Sequence, residues 1–114
     1  MLLVRAMIAA AHADSVLDEE ERRAIVDRLA GAELTAEDRE TVARELEAPW
    51  TAEQLAAHVT SRRLAEEVYA ASLLAIRVDA PAEREYLMRL ARLLGLDHDT
   101  VARLHRLLGA PPPA

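Results

Sequence analysis

Residues 68–87 read VYAASLLAIRVDAPAEREYL, and this stretch holds two helices and the turn that joins them. Its first half is apolar on almost every face, which is typical of a helix buried inside a domain. The run ends at Asp79. Pro81 follows at the first position of the next helix, where its missing N–H group costs nothing. The stretch therefore predicts a buried helix, a tight turn and a second helix whose buried face begins at Leu87.

The rest of the chain is divided in the same way, into about seven helices in all, by capping residues, glycine and proline. Ala, Leu, Glu and Arg, all strong helix formers, dominate the composition. The expected N-caps of four of these helices are Thr35, Thr51, Thr60 or Ser61, and Asp97. The expected helices cover 2–13, 18–31, 35–49, 51–59, 60–79, 81–95 and 97–109. We therefore predict a compact all-α bundle over residues 1–109, followed by a flexible proline-rich tail over residues 110–114.

The apolar residues also predict which face of each helix is buried. The first helix is apolar almost all round and is expected to be central. In the last two helices the expected buried residues are Leu87, Leu90, Leu93, Leu94, Val101, Leu104, Leu107 and Leu108. His98 and His105 lie two turns apart, too far to share a metal ion, and both are expected to face solvent. Trp50 either plugs the bundle or is an exposed anchor for a partner, and His58 has no visible partner.

Composition and charge exclude several functional classes. The chain has 114 residues and a net charge of −6, which fits one acidic domain and argues against a nucleic-acid-binding module. It has no cysteine, which excludes disulfides and thiol catalysis. No run reaches the roughly 18 apolar residues of a membrane span, so we expect neither a transmembrane segment nor a signal peptide. No nucleophile elbow, P-loop or dinucleotide fingerprint is present, and we therefore predict that the protein is not an enzyme.

An acidic loop is the best candidate for a functional site. Asp14 precedes the loop, Asp18 closes it, and Glu21 lies one turn into the following helix. Their carboxylates could converge on a hard divalent cation, and His12 could complete a zinc site with Asp14 and Asp18. The spacing does not match an EF-hand loop. The sequence leaves the ion open among calcium, magnesium and zinc.

A second pair of acidic residues, Asp79 and Glu83, stands at the turn before the sixth helix and forms a smaller candidate metal site. In both places a structural role without any ion is the simpler explanation. Asp18 with Glu21 is an ordinary capping box, and acidic residues complement the positive end of a helix. A loop aspartate can also hold a turn together by itself.

Two segments of the chain echo one another. Residues 7–14 and residues 73–79 both form an apolar run that ends in aspartate. Each leads through a short loop into a helix with glutamate at its third position followed by arginine: Glu21-Arg22 and Glu83-Arg84. Two copies are too few for a solenoid, so the pattern predicts a pseudo-symmetric bundle made by an old internal duplication.

Residues 5–22, which read RAMIAAAHADSVLDEEER, resemble the start of TerB-like domains, named for a tellurite-resistance protein. Residues 68–87 are similar to the YebE-type branch, a bacterial family of uncharacterised function often described as inner-membrane protein. The resemblance covers essentially the whole chain. It implies an all-helical domain with the same number of helices, no established enzymatic activity and, in some members, a divalent metal held by acidic residues at these helix starts. The chain departs from the family at Ser15, usually glycine, and at Ala80, often threonine, and it lacks the N-terminal extension usual in that branch.

These observations together predict a non-catalytic binding or sensing module of a bacterial envelope-associated protein. We expect it on the cytoplasmic side, held at the inner membrane through a segment outside this chain, with a divalent cation bound through the acidic loop. The alternative is a metal-free protein–protein interaction domain, such as a homodimer, whose partner the sequence does not identify.

Overall fold

The computed structural model describes residues 2–13, 19–20, 23, 27, 34–76 and 81–112, and the regular structure in these residues is helical. Six helices have defined bounds: α1 (Leu2–Ala11), α2 (Ala36–Glu47), α3 (Ala52–Ala57), α4 (Arg62–Leu74), α5 (Pro81–Leu94) and α6 (His98–Leu107). Most of the helix expected at 18–31 lies outside the described residues, although Glu19, Glu20, Arg23 and Asp27 are helical and exposed. The expected all-α fold is confirmed. The loops of the two similar segments, residues 14–18 and 77–80, also lie outside the described residues, so the internal duplication stays a prediction.

The first helix is central, as its sequence predicts. All six residues from Ala6 to Ala11 are buried, and α1 packs mainly on α4 while also contacting α2, α3 and α5. Alanine allows this because its small side chain lets two helix backbones approach closely. Ser72 of α4 lies in this interface with no exposed surface. Its hydroxyl donates to the carbonyl of Val68 at 2.8 Å, which satisfies this buried polar group.

The expected helix caps are confirmed where the structure describes them. Thr35 and Thr51 each form a complete capping box, with Asp38 and Gln54 respectively. Ser61, rather than Thr60, caps α4. Asp97 caps α6. At the other ends of α5 and α6, Gly95 and Gly109 adopt φ values of 73° and 67°, the left-handed conformation that ends a helix and that glycine adopts without strain.

Three expectations about buried faces are wrong, and one physical reason explains them. Leu93 and Leu107 are 40% and 70% exposed, whereas His105, expected in solvent, is only 1% exposed. The buried stripe of α6 runs through Val101, Leu104 and His105, at the three- and four-residue spacing of one helix face. Leu107 stands outside that stripe and His105 stands inside it, so position on the helix outweighs hydrophobicity.

Several helix ends differ from expectation by a few residues. α1 ends at Ala11, so His12 and Ala13 form a turn beyond it. α4 ends at Leu74 with Ala75 as its C-cap, and Asp79 lies outside the described residues. After α6, Ala110 packs against the core, so this part of the tail contacts the bundle. No described helix is long and apolar enough to cross a bilayer.

Candidate functional site

A cavity of about 330 Å³ lies between α5 and α6 and reaches the side of α4. Its walls are apolar side chains, contributed by Leu87, Met88, Ala91, Leu96 and Val101. Tyr69 of α4 and His105 of α6 also line it and are each 1% exposed, which places them at its base. Concave, largely apolar sites with a few polar groups are the usual form of a small-molecule pocket.

The two polar groups at the base are hydrogen-bonded to one another. The hydroxyl of Tyr69 lies 2.7 Å from Nε2 of His105, and Nδ1 of the same ring lies 2.6 Å from the carbonyl oxygen of Pro111. A carbonyl oxygen can only accept, so Nδ1 carries the hydrogen and donates it. In the neutral ring Nε2 then accepts from the Tyr69 hydroxyl. Both nitrogens of this buried ring are therefore satisfied.

Burial also fixes the charge at the base of the cavity. It raises the pKa of Tyr69 from 10.0 to about 12, because the phenolate would lose its hydration in the apolar interior. The phenol therefore stays protonated and neutral throughout the physiological range. The phenol at the base is therefore uncharged and is paired with His105.

The mouth of the cavity has the opposite character. Arg84, Met88 and Arg92 stand one turn apart along α5, and His98 faces them from the start of α6. All four residues are exposed. Among the described residues no carboxylate forms an ion pair with Arg84 or Arg92, although Arg89, between them in sequence, pairs with Glu53 of α3. No acidic residue in the described part of the chain lines the cavity, so the residues at its mouth that the structure describes carry positive charge.

A second, wider cleft lies beside the end of α1. His12, Trp50 and Tyr86 line it, and the ion pair between Glu53 and Arg89 lies along it. The Nε2 atom of His12 and the hydroxyl of Tyr86 are buried without a hydrogen-bond partner in the part of the chain that the structure describes. Burial raises the pKa of Tyr86 to about 12. In the sequence His12 stands beside the acidic loop, whose residues 14–18 lie outside the described part of the chain.

Trp50 acts as a plug in the bundle. It is half-buried and packs against the cluster formed by Ala6, Ala9, Leu55 and Val68. The guanidinium of Arg5 lies over its ring, 4.1 Å from the centroid, and the ring of His58 lies 4.5 Å away. Nδ1 of His58 lies 2.9 Å from the carbonyl of Gln54, so this histidine, expected to have no partner, has two.

The structure describes only some of the residues proposed for metal binding. Asp14, Asp18, Glu21 and Asp79 lie outside the described residues, so both candidate metal sites stay predictions. Glu83 is described, and it is buried in α5 with 7% of its surface exposed. Within the described residues, no three or more His, Asp and Glu side chains come together in a group that could hold a metal ion.

The sequence reasoning missed the pair of Tyr69 and His105 at the base of the cavity. The signal that could have found it is spacing, because His105 lies four residues after Val101 and one after Leu104, on the buried stripe of α6. A histidine on such a stripe needs buried partners for both ring nitrogens. Tyr69, on an apolar helix, has the hydroxyl that supplies one of them.

Comparison with known proteins gives a family but no close relative. Neither the curated proteins nor the solved structures contain a match. The chain matches one family model, described as "Protein of unknown function (DUF533)", over residues 1–108. That family is TerB-like, so the coarser part of the resemblance is confirmed. Because the match spans nearly the whole sequence, the chain belongs to the DUF533 family.

Proposed function

We propose that this chain is a non-catalytic binding module that takes a small ligand in the cavity between α5 and α6. The observation that carries the proposal is the combination of apolar walls, an internally hydrogen-bonded base and an open mouth in one cavity. Its volume of about 330 Å³ falls at the lower end of the range for ligand pockets, which begins near ~300 Å³.

A neutral apolar fluorescent probe, N-phenylnaphthylamine, tests this proposal. Met88→Trp places a large ring at the mouth, where Met88 is 46% exposed and the added bulk can be tolerated. Leu93→Trp is the matched control, because Leu93 is 40% exposed on the same helix and does not line the cavity. We expect the wild type and Leu93→Trp to bind the probe and Met88→Trp to lose binding. Equal binding by all three proteins, or by none, would contradict the proposal.

A divalent cation at Asp14, Asp18 and Glu21 is a second candidate function. It is supported by the position of His12, whose buried Nε2 lacks a partner among the described residues. A ligand that binds only the folded state raises the melting temperature. Chelator-stripped protein is therefore melted with calcium, magnesium, manganese or zinc, alongside Asp14→Ala. A rise with one cation that the variant lacks supports the site, and no shift with any of them rejects it.

The finer family and cellular assignments are also proposals. The similarity of residues 68–87 to the YebE-type branch supports a place on the cytoplasmic side of a bacterial inner membrane. The alternative of a metal-free protein–protein interaction domain, such as a homodimer, is supported by the exposure of Leu107, at 70%. Sedimentation over a range of concentrations separates the alternatives, because a dimer changes mass with dilution and Leu107→Ser should then abolish the change.

A further inference from the structure

We infer that the ligand of the cavity between α5 and α6 is an amphiphilic anion: an apolar body with one carboxylate, sulfonate or phosphate group. This inference rests on the proposed function, because it identifies the chemistry of the molecule that the same cavity takes. Three features of the cavity support it: the charge at its mouth, the chemistry of its base and its size.

The charge at the mouth favours an anion. Arg84 and Arg92 flank Met88 at one-turn spacing, and His98 stands across from them. Other arginines of the same half of the bundle are used in ion pairs with carboxylates: Arg63 with Glu67, Arg89 with Glu53 and Arg103 with Glu66. Glu85 of α5 and Asp99 of α6 do not line the cavity, although Glu85 lines a separate groove next to it with Met88, Arg89 and Arg92. Among the described residues no carboxylate forms an ion pair with Arg84 or Arg92, so both guanidinium groups can bind a carboxylate or phosphate with paired hydrogen bonds.

The chemistry of the base fixes the orientation of the ligand. In the neutral form of the imidazole, Tyr69 donates its hydroxyl hydrogen to Nε2 of His105, and Nδ1 of His105 donates to the carbonyl oxygen of Pro111. The base is thus left with oxygen lone pairs and apolar surface and has no hydrogen to offer to an anion. An anionic group placed there would lose its hydration without compensation. The charged group must therefore remain at the mouth, with the apolar body inside against Leu87 and Val101.

The size of the cavity limits the apolar body. A volume of about 330 Å³ corresponds to on the order of ten water molecules at their liquid volume. A body of about eight to ten carbon atoms matches that space. A longer chain would extend past Met88 into solvent or into a bilayer.

Displacement of the neutral probe by a matched series of eight-carbon compounds tests the inference. We expect octanoate to displace it at about tenfold lower concentration than octanol, and octylammonium to be the weakest. The advantage of octanoate should disappear in Arg84→Gln/Arg92→Gln and persist in the control Arg63→Gln/Arg106→Gln, which removes two arginines that do not line the cavity. If octanol or octylammonium equals octanoate in the wild type, the inference fails while the binding module stands. If the probe itself does not bind, the proposed function fails, and the inference with it.

A second arm distinguishes a free anion from a membrane lipid as the source of this chemistry. The wild type and both double variants are sedimented with vesicles of phosphatidylglycerol and with vesicles of phosphatidylcholine. Binding to the anionic vesicles alone, lost in Arg84→Gln/Arg92→Gln, supports the inference with a lipid as the ligand. Displacement by octanoate without binding to either vesicle supports it with a soluble anion. Equal binding to both vesicles, unchanged in the variants, contradicts the role given to the two arginines.

Discussion

The hydroxyl of Tyr69 lies 2.7 Å from Nε2 of His105, and this bond joins α4 to α6 inside the core. The two ring centroids are 5.7 Å apart, so the rings pack against each other in addition to being hydrogen-bonded. Through Nδ1 of His105 the same chain of bonds continues to Pro111. The base of the cavity is thereby coupled to the segment that follows α6.

The two tyrosines of the protein provide a matched test of this bond. Tyr69 is buried and Tyr86 is partly buried, and both hydroxyl groups lie inside the protein. The Tyr69 hydroxyl has a buried partner, whereas the Tyr86 hydroxyl has none among the described residues. Tyr69→Phe should lower the free energy of unfolding by about 1–3 kcal/mol, because it leaves a buried imidazole nitrogen unpaired. Tyr86→Phe should be neutral or stabilising, because it removes a polar group that costs free energy to bury. Urea denaturation of the two variants checks this, and an equal loss in both would contradict it.

Both tyrosines should ionise at a higher pH than an ordinary tyrosine does. Burial raises the pKa of each from 10.0 to about 12 in the folded protein. The folded-state pKa lies above the unfolded one, so this contribution to stability is complete below pH 10 and is lost as the pH rises through 12. Absorbance of the phenolate should therefore appear near pH 12 in native protein and near pH 10 in urea. A native titration midpoint near 10 would show that the rings are hydrated.

An ion pair beneath Trp50 is the third prediction. Oε1 of Glu45 lies 3.2 Å from Nε of Arg5, and Oε2 accepts from the backbone N–H of Trp50 at 3.1 Å. Glu45→Ala should destabilise the protein by about 1–3 kcal/mol, because a charge and a donor lose their buried partner. The value stays below that of a fully buried pair, since the Arg5 side chain is 26% exposed.

The single tryptophan reports on the same change. Its emission should shift to longer wavelength in Glu45→Ala. The variant lacks the carboxylate that binds the backbone N–H of Trp50 and holds the Arg5 guanidinium over the ring, so the ring should become more exposed to water. Glu47→Ala is the control, since Glu47 lies two residues away on the same helix and is exposed. A comparable shift and loss of stability in Glu47→Ala would mean that helix propensity, not the ion pair, is being measured.

Local chemistry explains which parts of the fold the sequence could predict. A capping side chain acts on a backbone N–H three residues away, so Thr35, Thr51 and Asp97 mark helix starts without knowledge of the rest of the molecule. The buried faces were harder. Leu107 is apolar yet exposed, and His105 is polar yet buried, because the angular position on α6 decides which residue meets α4.

The candidate site could not be predicted in the same way. Its cavity exists because α5 and α6 leave room between Leu87, Val101 and Tyr69, and that room depends on how three separate helices cross. The pairing of the arginines is likewise a tertiary property: Glu83 and Glu85 adjoin Arg84 in sequence, yet neither lines the cavity that Arg84 lines. Sequence spacing places residues on a helix face, but the neighbouring helices decide what that face meets.

The cap of α6 provides the last prediction, which depends on pH. Oδ1 of Asp97 accepts from the backbone N–H of Thr100 at 2.7 Å. Hydrogen bonds from Thr100, with a smaller contribution from the charge of Arg62, lower the pKa of Asp97 below its ordinary 3.8. The folded-state pKa is depressed, so this contribution is complete above the unfolded value and is lost as the pH falls through the lowered pKa.

Three variants separate the contribution of the capping hydrogen bond to stability from that of the negative charge. Asp97→Ala should lower the melting temperature at neutral pH, and its deficit should shrink as the pH falls below 3.8. Asp97→Asn keeps a good capping oxygen without a titrating group, so it should stay close to the wild type at neutral pH and lose the acid-dependent decline that Asp97 contributes. Asp99→Ala, in the first turn of the same helix and outside the cap, serves as the control for the helix dipole. Melting curves at neutral pH and near pH 3 measure all three, and a deficit in Asp97→Ala that is no larger than in Asp99→Ala would show that the cap contributes nothing beyond its charge.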